Sequence, residues 1–239
     1  MDRASALAKQ CDEIGWSLIT ETIEPVVGKR AEELVLSRFA EQGYSGSWCE
    51  GASFKLLMKA ASLPFVLSQE LTSPRIAADP VSTTTYFHRR LGVEVPWTER
   101  DGAVSAFFEA HCKTFLEKRE QLIACIRGAS TRDVELAIRE ICGNPFIRDW
   151  FPRVTPAFLA KLWRATGPDF VARIAEIFIR SPYDYRAGWP DLTLIGAEGV
   201  WLVEVKKNKD RFQTSQLRFA RDIAKPLGLR CSVFRAILK

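Results

Sequence analysis

Histidine is nearly absent from this 239-residue sequence, which has two, and no Cys-x-x-Cys pair occurs in it. Imidazole is the commonest general base near neutral pH, so its scarcity argues against chemistry built on a catalytic histidine; His111 sits in an apolar helical pattern between Ala110 and Cys112. The cysteines at 11, 49, 112, 125, 142 and 231 are scattered rather than paired. That excludes the usual zinc spacings and fits reduced, mostly buried thiols. No apolar run approaches the ~20 residues of a membrane span, and the N-terminus lacks the basic-then-apolar form of a signal peptide. Internal repeats and low-complexity linkers are missing too. The expectation is an intracellular protein with no membrane partner, in the cytoplasm or nucleoid of a prokaryote or the nucleus of a eukaryote.

The length allows a large core, and 47% hydrophobic with 26% charged residues is ordinary for a globular chain. A net charge of +5 does not by itself imply nucleic acid, but its placement is uneven. From Glu204 to Lys239 there are ten Lys or Arg against three acidic residues, so the C-terminal part is basic.

Chemistry concentrates between Gly188 and Lys206. Asp191-Leu192-Thr193-Leu194-Ile195 and Val200 to Lys206 read as strands, with Gly196-Ala197-Glu198-Gly199 as the hairpin loop. Pairing Ile195 with Val200 puts Asp191 opposite Glu204. Alternation puts Glu204 and Lys206 on one face, with Val203 and Val205 on the other. Two opposed carboxylates repel, and a hard divalent cation with oxygen ligands removes the repulsion. The Val205 carbonyl is a further oxygen for such an ion. Lys206, two residues along the same face, puts a cation beside Glu204.

Upstream, residues 1–24 carry apolar residues at helical spacing (Leu7, Cys11, Ile14, Leu18). A helix is predicted over 29–42, closed by Gly43, with Glu32 and Glu33 in its first turns as dipole-favoured acids. Residues 47–54 read as a turn into an apolar helix running to about Ser62, which makes Glu50 an acid near a helix start. Helices are predicted over 101–127, 131–142, 156–166 and 168–180. After the hairpin, a helix over 213–227 and a strand over 229–237 complete an α/β core.

The spacing Pro190-Asp191 … Glu204-Val205-Lys206 is the Asp…Glu-x-Lys pattern of the PD-(D/E)XK nuclease superfamily. Together with Gly188-Trp189, Leu192, Asp210-Arg211 and Gln216 it resembles the VRR-NUC domain. Glu32-Glu33-Leu34, Gly43-Tyr44 and Cys49-Glu50-Gly51-Ala52-Ser53-Phe54 are similar to the Fanconi-anaemia-associated branch of that family. The resemblance spans roughly residues 25–239 and is weakest across 64–150.

What it implies is a restriction-endonuclease-like mixed sheet flanked by helices, as a single nuclease domain over 1–239. The divisions are an N-terminal core part at 25–63, a mostly helical insertion at 64–180, and the catalytic sheet and helix at 181–239. It further implies a catalytic set of Glu50, Asp191, Glu204, Lys206 and Gln216. One or two Mg2+ or Mn2+ ions would be held by Glu50, Asp191, Glu204 and Val205, and branched or flap DNA tracked by Lys207, Lys209, Arg211, Arg218 and Arg221. The implied activity is 5′ flap endonuclease and 5′–3′ exonuclease cleavage in DNA repair. Larger members carry N-terminal DNA-binding and helical-repeat modules that these residues do not contain. The alternatives are a homodimeric four-way (Holliday) junction resolvase, whose small relatives lack a long helical insertion, and a non-catalytic DNA-binding module.

Overall fold

The structure, a computed structural model, describes residues 3–68, 115–143, 147–148, 151–207 and 210–238. The part of the helix expected over 101–127 that precedes residue 115, His111 with it, and Lys209 lie outside the described residues. The chain divides into two compact units. One comprises Met1–Ser53, Arg153–Ala165 and Ala187–Lys239; the other comprises Phe54–Pro152 and Thr166–Arg186.

The first unit is built on a five-stranded sheet: β1 (Ser17–Ile23), β2 (Ser45–Trp48), β3 (Leu192–Gly196), β4 (Gly199–Lys207) and β5 (Cys231–Leu238), in the order β1-β5-β4-β3-β2. β5 runs parallel to β1 and β4, whereas β3 is antiparallel to both its neighbours. This is the mixed restriction-endonuclease-like architecture. Helix α1 (Arg3–Ile14) precedes β1, and α2 (Ala31–Glu41) precedes β2. A helical crossover joins β4 to β5, as parallel strands require.

One sheet face packs on α2. Ala31, Val35 and Phe39 meet Leu192, Leu194, Trp201, Val203, Val205, Phe234 and Ala236. Phe39 stands edge-on to Tyr44, Trp201 and Phe234, with ring centroids 5.0–5.8 Å apart. Such a ring buried among aromatics contributes about 3–5 kcal/mol against alanine. Gly46 lets this layer close, since a Cβ there would come within 2.5 Å of Leu36 and 2.6 Å of Leu194.

Several expectations are corrected. The helical spacing read through Leu18 crosses a boundary: Gly15, at φ +71°, ends α1, and Leu18 belongs to β1. That strand lies at the sheet edge and is partly exposed, which blurs its alternation. β2 was read as a turn because Ser-Gly-Ser-Trp has little strand propensity. Pairing with β3 enforces it, and the buried Ser47 hydroxyl donates to the Arg153 carbonyl at 2.9 Å. The hairpin loop is two residues, Ala197-Glu198, because Gly196 pairs with Gly199.

The second unit is helical. α3 (Ala52–Ser68) runs past Ser62 and through an exposed Pro64, and it buries most of its surface, including Lys55 and Lys59. α4 (Arg119–Gly128) and α5 (Thr131–Cys142) follow, the latter capped by Ser130, whose hydroxyl accepts from the Asp133 N–H at 3.1 Å. The two helices expected over 156–166 and 168–180 are both present, as the halves of α6 (Pro156–Phe178) parted at the non-helical Gly167 (φ 75°, ψ 168°) ahead of Pro168; the first half falls in the first unit and the second half in this one. The short α7 (Pro182–Tyr185) ends the unit. No helix among the described residues is long and apolar enough to cross a membrane.

Candidate active site

The chemistry-bearing residues of the hairpin meet where β3 begins. Leu192 pairs with Val203, so Asp191, one residue earlier, falls level with Glu204. Its Oδ2 accepts the Val205 N–H at 2.8 Å. A strand residue directs its N–H and C=O to the same neighbour, so the Val205 carbonyl also faces the Asp191 side. Glu204 and Lys206 are buried (3% and 5% exposed) on the face away from the α2 core. Lys206 Nζ lies 2.8 Å from Glu204 Oε1.

Gln216 joins that pair from α8 (Thr214–Phe219). Its Nε2 donates to Glu204 Oε1 at 2.6 Å, and its Oε1 accepts from Lys206 Nζ and from the Gln213 N–H, each at 2.9 Å. Both ends of the amide are used, which fixes its orientation. α8 continues through a π-helical turn, Ala220–Ala224, into α9 (Lys225–Leu227). Interruptions of this kind recur beside functional residues.

Glu50 enters from the other end of the sequence. Its N–H and that of Cys49 both donate to the Asp191 carbonyl, at 3.3 and 3.0 Å, so the β2–β3 pairing carries Glu50 to the site. Glu50 has φ +46°, the one positive φ at a non-glycine residue among those described. Left-handed backbone at such a residue costs of order 1–3 kcal/mol and recurs at functional positions.

Two glycines hold the surrounding backbone. A Cβ on Gly51 (φ +75°) would lie 2.2 Å from Trp189, and one on Gly188 (φ +88°) would lie 2.1 Å from the Ser215 carbonyl oxygen. The Gly-Trp-Pro-Asp turn therefore rests directly on the start of α8, with the Trp189 ring 4.7 Å from that of Phe219 and tilted 48° to it.

The sequence reading treated Glu32 and Glu33 alike; the structure separates them. Glu33 is the cap, accepting the Arg30 N–H at 2.9 Å and pairing with Arg153. Glu32 has a buried Oε2 with no hydrogen-bond partner, and its charge acts on Asp191. Position in a first helical turn fits both roles, so sequence alone could not divide them. The usable signal was the Glu-Glu pair itself, since one cap needs only one acid.

Burial pushes the Asp191 carboxyl up to about 8, reinforced by the negative charges of Glu204, Glu32 and Glu50 and opposed by the Val205 N–H. Glu204 is raised as well, first by burial and then by Glu50, against the lowering effect of Lys206 and Gln216. Asp191 thus feels the charges of three other carboxylates, one of them with an orphaned oxygen, and the Val205 carbonyl faces its side. An all-oxygen donor set of this charge suits a hard divalent cation. Among the described residues no three such side chains already stand in metal-holding geometry; Glu204 is turned to Lys206 and Gln216 instead.

The basic residues expected to meet DNA are spread around this centre. Lys207 and Arg211 are exposed and Arg218 is partly exposed. Arg221 is exposed but paired with Asp222 at 2.6 Å. Lys206 also lies 5.3 Å from the Phe212 ring centre, a cation over an aromatic face.

The fold belongs to the class of restriction-endonuclease-like α/β domains, with a mixed sheet flanked by helices. No family model matches the chain, and no curated protein does. Solved structures do match. paFAN1 bound to 2-nt 5′ flap DNA with gap has a TM-score of 0.64 at 16% identity, covering 99% of this chain and 42% of that one. paFAN1 bound to 1-nt 5′ flap DNA with gap has 0.67 at 17%, with the same coverage. The chain therefore spans about two fifths of the length of these matches, and at this identity the likeness shows the fold.

Proposed function

We propose that this chain is a divalent-metal-dependent, structure-selective DNA nuclease that acts on flap substrates by 5′ flap endonuclease and 5′–3′ exonuclease cleavage in DNA repair. The observation that carries the reading is Asp191 level with Glu204 across the hairpin, with Lys206 and Gln216 bonded to Glu204 and the Glu50 N–H bonded to the Asp191 carbonyl. The fold shared with flap-bound paFAN1 supports DNA as the substrate.

Asp191, Glu204 and Glu50, with Glu32 and the Val205 carbonyl, would hold Mg2+ or Mn2+. Bound there, such an ion polarises a phosphoryl oxygen and lowers the pKa of a coordinated water. Lys206 supplies a desolvated ammonium group for the charge that grows on the phosphoryl oxygens as the bond breaks. Gln216, bonded to both Glu204 and Lys206, keeps that ammonium from collapsing wholly onto the carboxylate and orients the two together. Lys207, Lys209, Arg211, Arg218 and Arg221 supply the sequence-independent attraction to the backbone, which weakens steeply with salt.

The test is a cleavage panel with Mg2+ or Mn2+ on 5′ flaps, 3′ flaps, four-way junctions and single strands, run with wild type and Asp191→Ala. Cutting of 5′ flaps by wild type, lost in the variant and in excess EDTA, supports the reading. A preference for junctions by a dimeric species would replace flap cleavage with junction resolution. Undiminished cutting by the variant would overturn the site assignment.

A further inference from the structure

One cation beside the site is unused by this mechanism. Arg235 on β5 pairs in register with Lys206 on β4 and with Thr20 on β1. Its neighbours Phe234 and Ala236 point into the α2 core, so alternation sends Arg235 to the opposite face, that of Glu204 and Lys206. Adjacent strands lie about 4.8 Å apart, which sets the two cations side by side.

Their electrostatic situations differ. Lys206 is matched by Glu204 at 2.8 Å. Arg235 is partly buried, its Nε is fully enclosed without a hydrogen-bond partner, and among the described residues no carboxylate pairs with it. The groups near it do not supply the missing charge. Thr20 is neutral. Cys11 on α1, which feels both Arg235 and Lys206, is pushed up to about 11, chiefly by burial, and stays a thiol at neutral pH. Asp12 acts on that same thiol but forms no ion pair with Arg235. A partly buried guanidinium with no anionic partner among the described residues calls for an oxyanion, and its planar fork matches phosphate.

We propose that Arg235 binds a backbone phosphate of the DNA next to the scissile one, extending the cation row that begins at Lys206. The inference rests on the nuclease reading and adds to it a substrate contact from the last strand. Each phosphate neutralised contributes about 0.9 to the slope of log affinity against log salt on duplex DNA.

The test is binding of labelled 5′ flap DNA by the full chain in EDTA, at salt concentrations from 50 to 200 mM, for wild type, Arg235→Ala, Arg235→Lys and Arg230→Ala. Arg230 pairs with Glu198 on the hairpin loop and serves as the control for loss of a surface charge. The slope should fall by about 1 in Arg235→Ala alone, so that its affinity drops about 3-fold less than that of wild type across this range. Arg235→Lys should keep the slope. Should Arg235→Ala not fold, Arg235→Gln is read in the same way. An unchanged slope in Arg235→Ala, or an equal fall in Arg230→Ala, overturns the inference while leaving the nuclease reading intact. A wild type that neither binds nor cuts DNA overturns both.

Discussion

Replacing Asp191 by Asn should stabilise the metal-free protein, and the gain should grow with pH. In the native state this carboxyl is moved from its ordinary 3.8 to about 8 by burial and by three neighbouring carboxylates. The folded protein therefore holds a proton that the unfolded chain has released. Stability falls as pH climbs from about 4 toward 8, the reverse of the usual buried ion pair. Each tenfold in proton affinity is worth about 1.4 kcal/mol, so the penalty is ~2 kcal/mol at pH 5 and ~5 kcal/mol at pH 8. Wild type in EDTA should thus lose about 3–4 kcal/mol between these pH values, or roughly 10 °C in Tm for a chain of this size. Asn keeps an oxygen for the Val205 N–H and has no charge to neutralise, so its curve should be flatter. Thermal unfolding of both proteins at pH 5, 6, 7 and 8 measures this directly. A wild-type Tm independent of pH over this range, or an Asn variant no more stable at pH 8, would refute the electrostatic account of the site.

Other outcomes follow from the same geometry. Saturating Mg2+ or Mn2+ should raise the wild-type Tm, since a ligand at 100 times its Kd adds about 2.7 kcal/mol; Glu32→Gln should shrink that rise, and an equal rise in both would return Glu32 to a purely structural role. Lys206→Ala should reduce cleavage by at least about 100-fold while flap binding stays measurable by anisotropy; full activity would remove Lys206 from the mechanism. Gly188→Ala forces a Cβ to within 2.1 Å of the Ser215 carbonyl at φ +88°. It should cost at least about 2 kcal/mol in chemical denaturation and should slow cleavage by displacing Gln216; a neutral result would mean that the turn does not rest on α8.

Local signals carried much of this architecture. The β3–β4 register followed from Ile195 facing Val200 across a glycine-bounded loop, and it delivered the Asp191–Glu204 apposition even though the turn is shorter than expected. α2 and α5 were readable from apolar spacing and caps. What sequence concealed was whatever depends on tertiary partners. β1 and β2 are a partly exposed edge strand and a four-residue strand of small residues, defined by the ladders they join rather than by their own pattern. Glu50 looked like an ordinary acid near a helix start; its φ of +46° and the bonds from residues 49 and 50 to the Asp191 carbonyl exist only once β2 has paired. Arg235 read as one more residue in a basic C-terminal part until the β4–β5 register set it beside Lys206.

The site is held together by backbone where its side chains oppose one another. The charges of Glu204, Glu50 and Glu32 oppose ionisation of Asp191, yet the carbonyl of Asp191 ties the Cys49–Glu50 backbone, and its side chain ties the Val205 N–H. Gly188 and Gly51 let the Gly-Trp-Pro-Asp turn press on both α8 and the β2 end. The aromatic layer of Phe39, Trp201 and Phe234 on the far face of the sheet supplies stability where no charge is involved. Carboxylates that converge in spite of their repulsion are what a cation site needs before its cation arrives, because the electrostatic work of assembly is then done by folding and returned on binding.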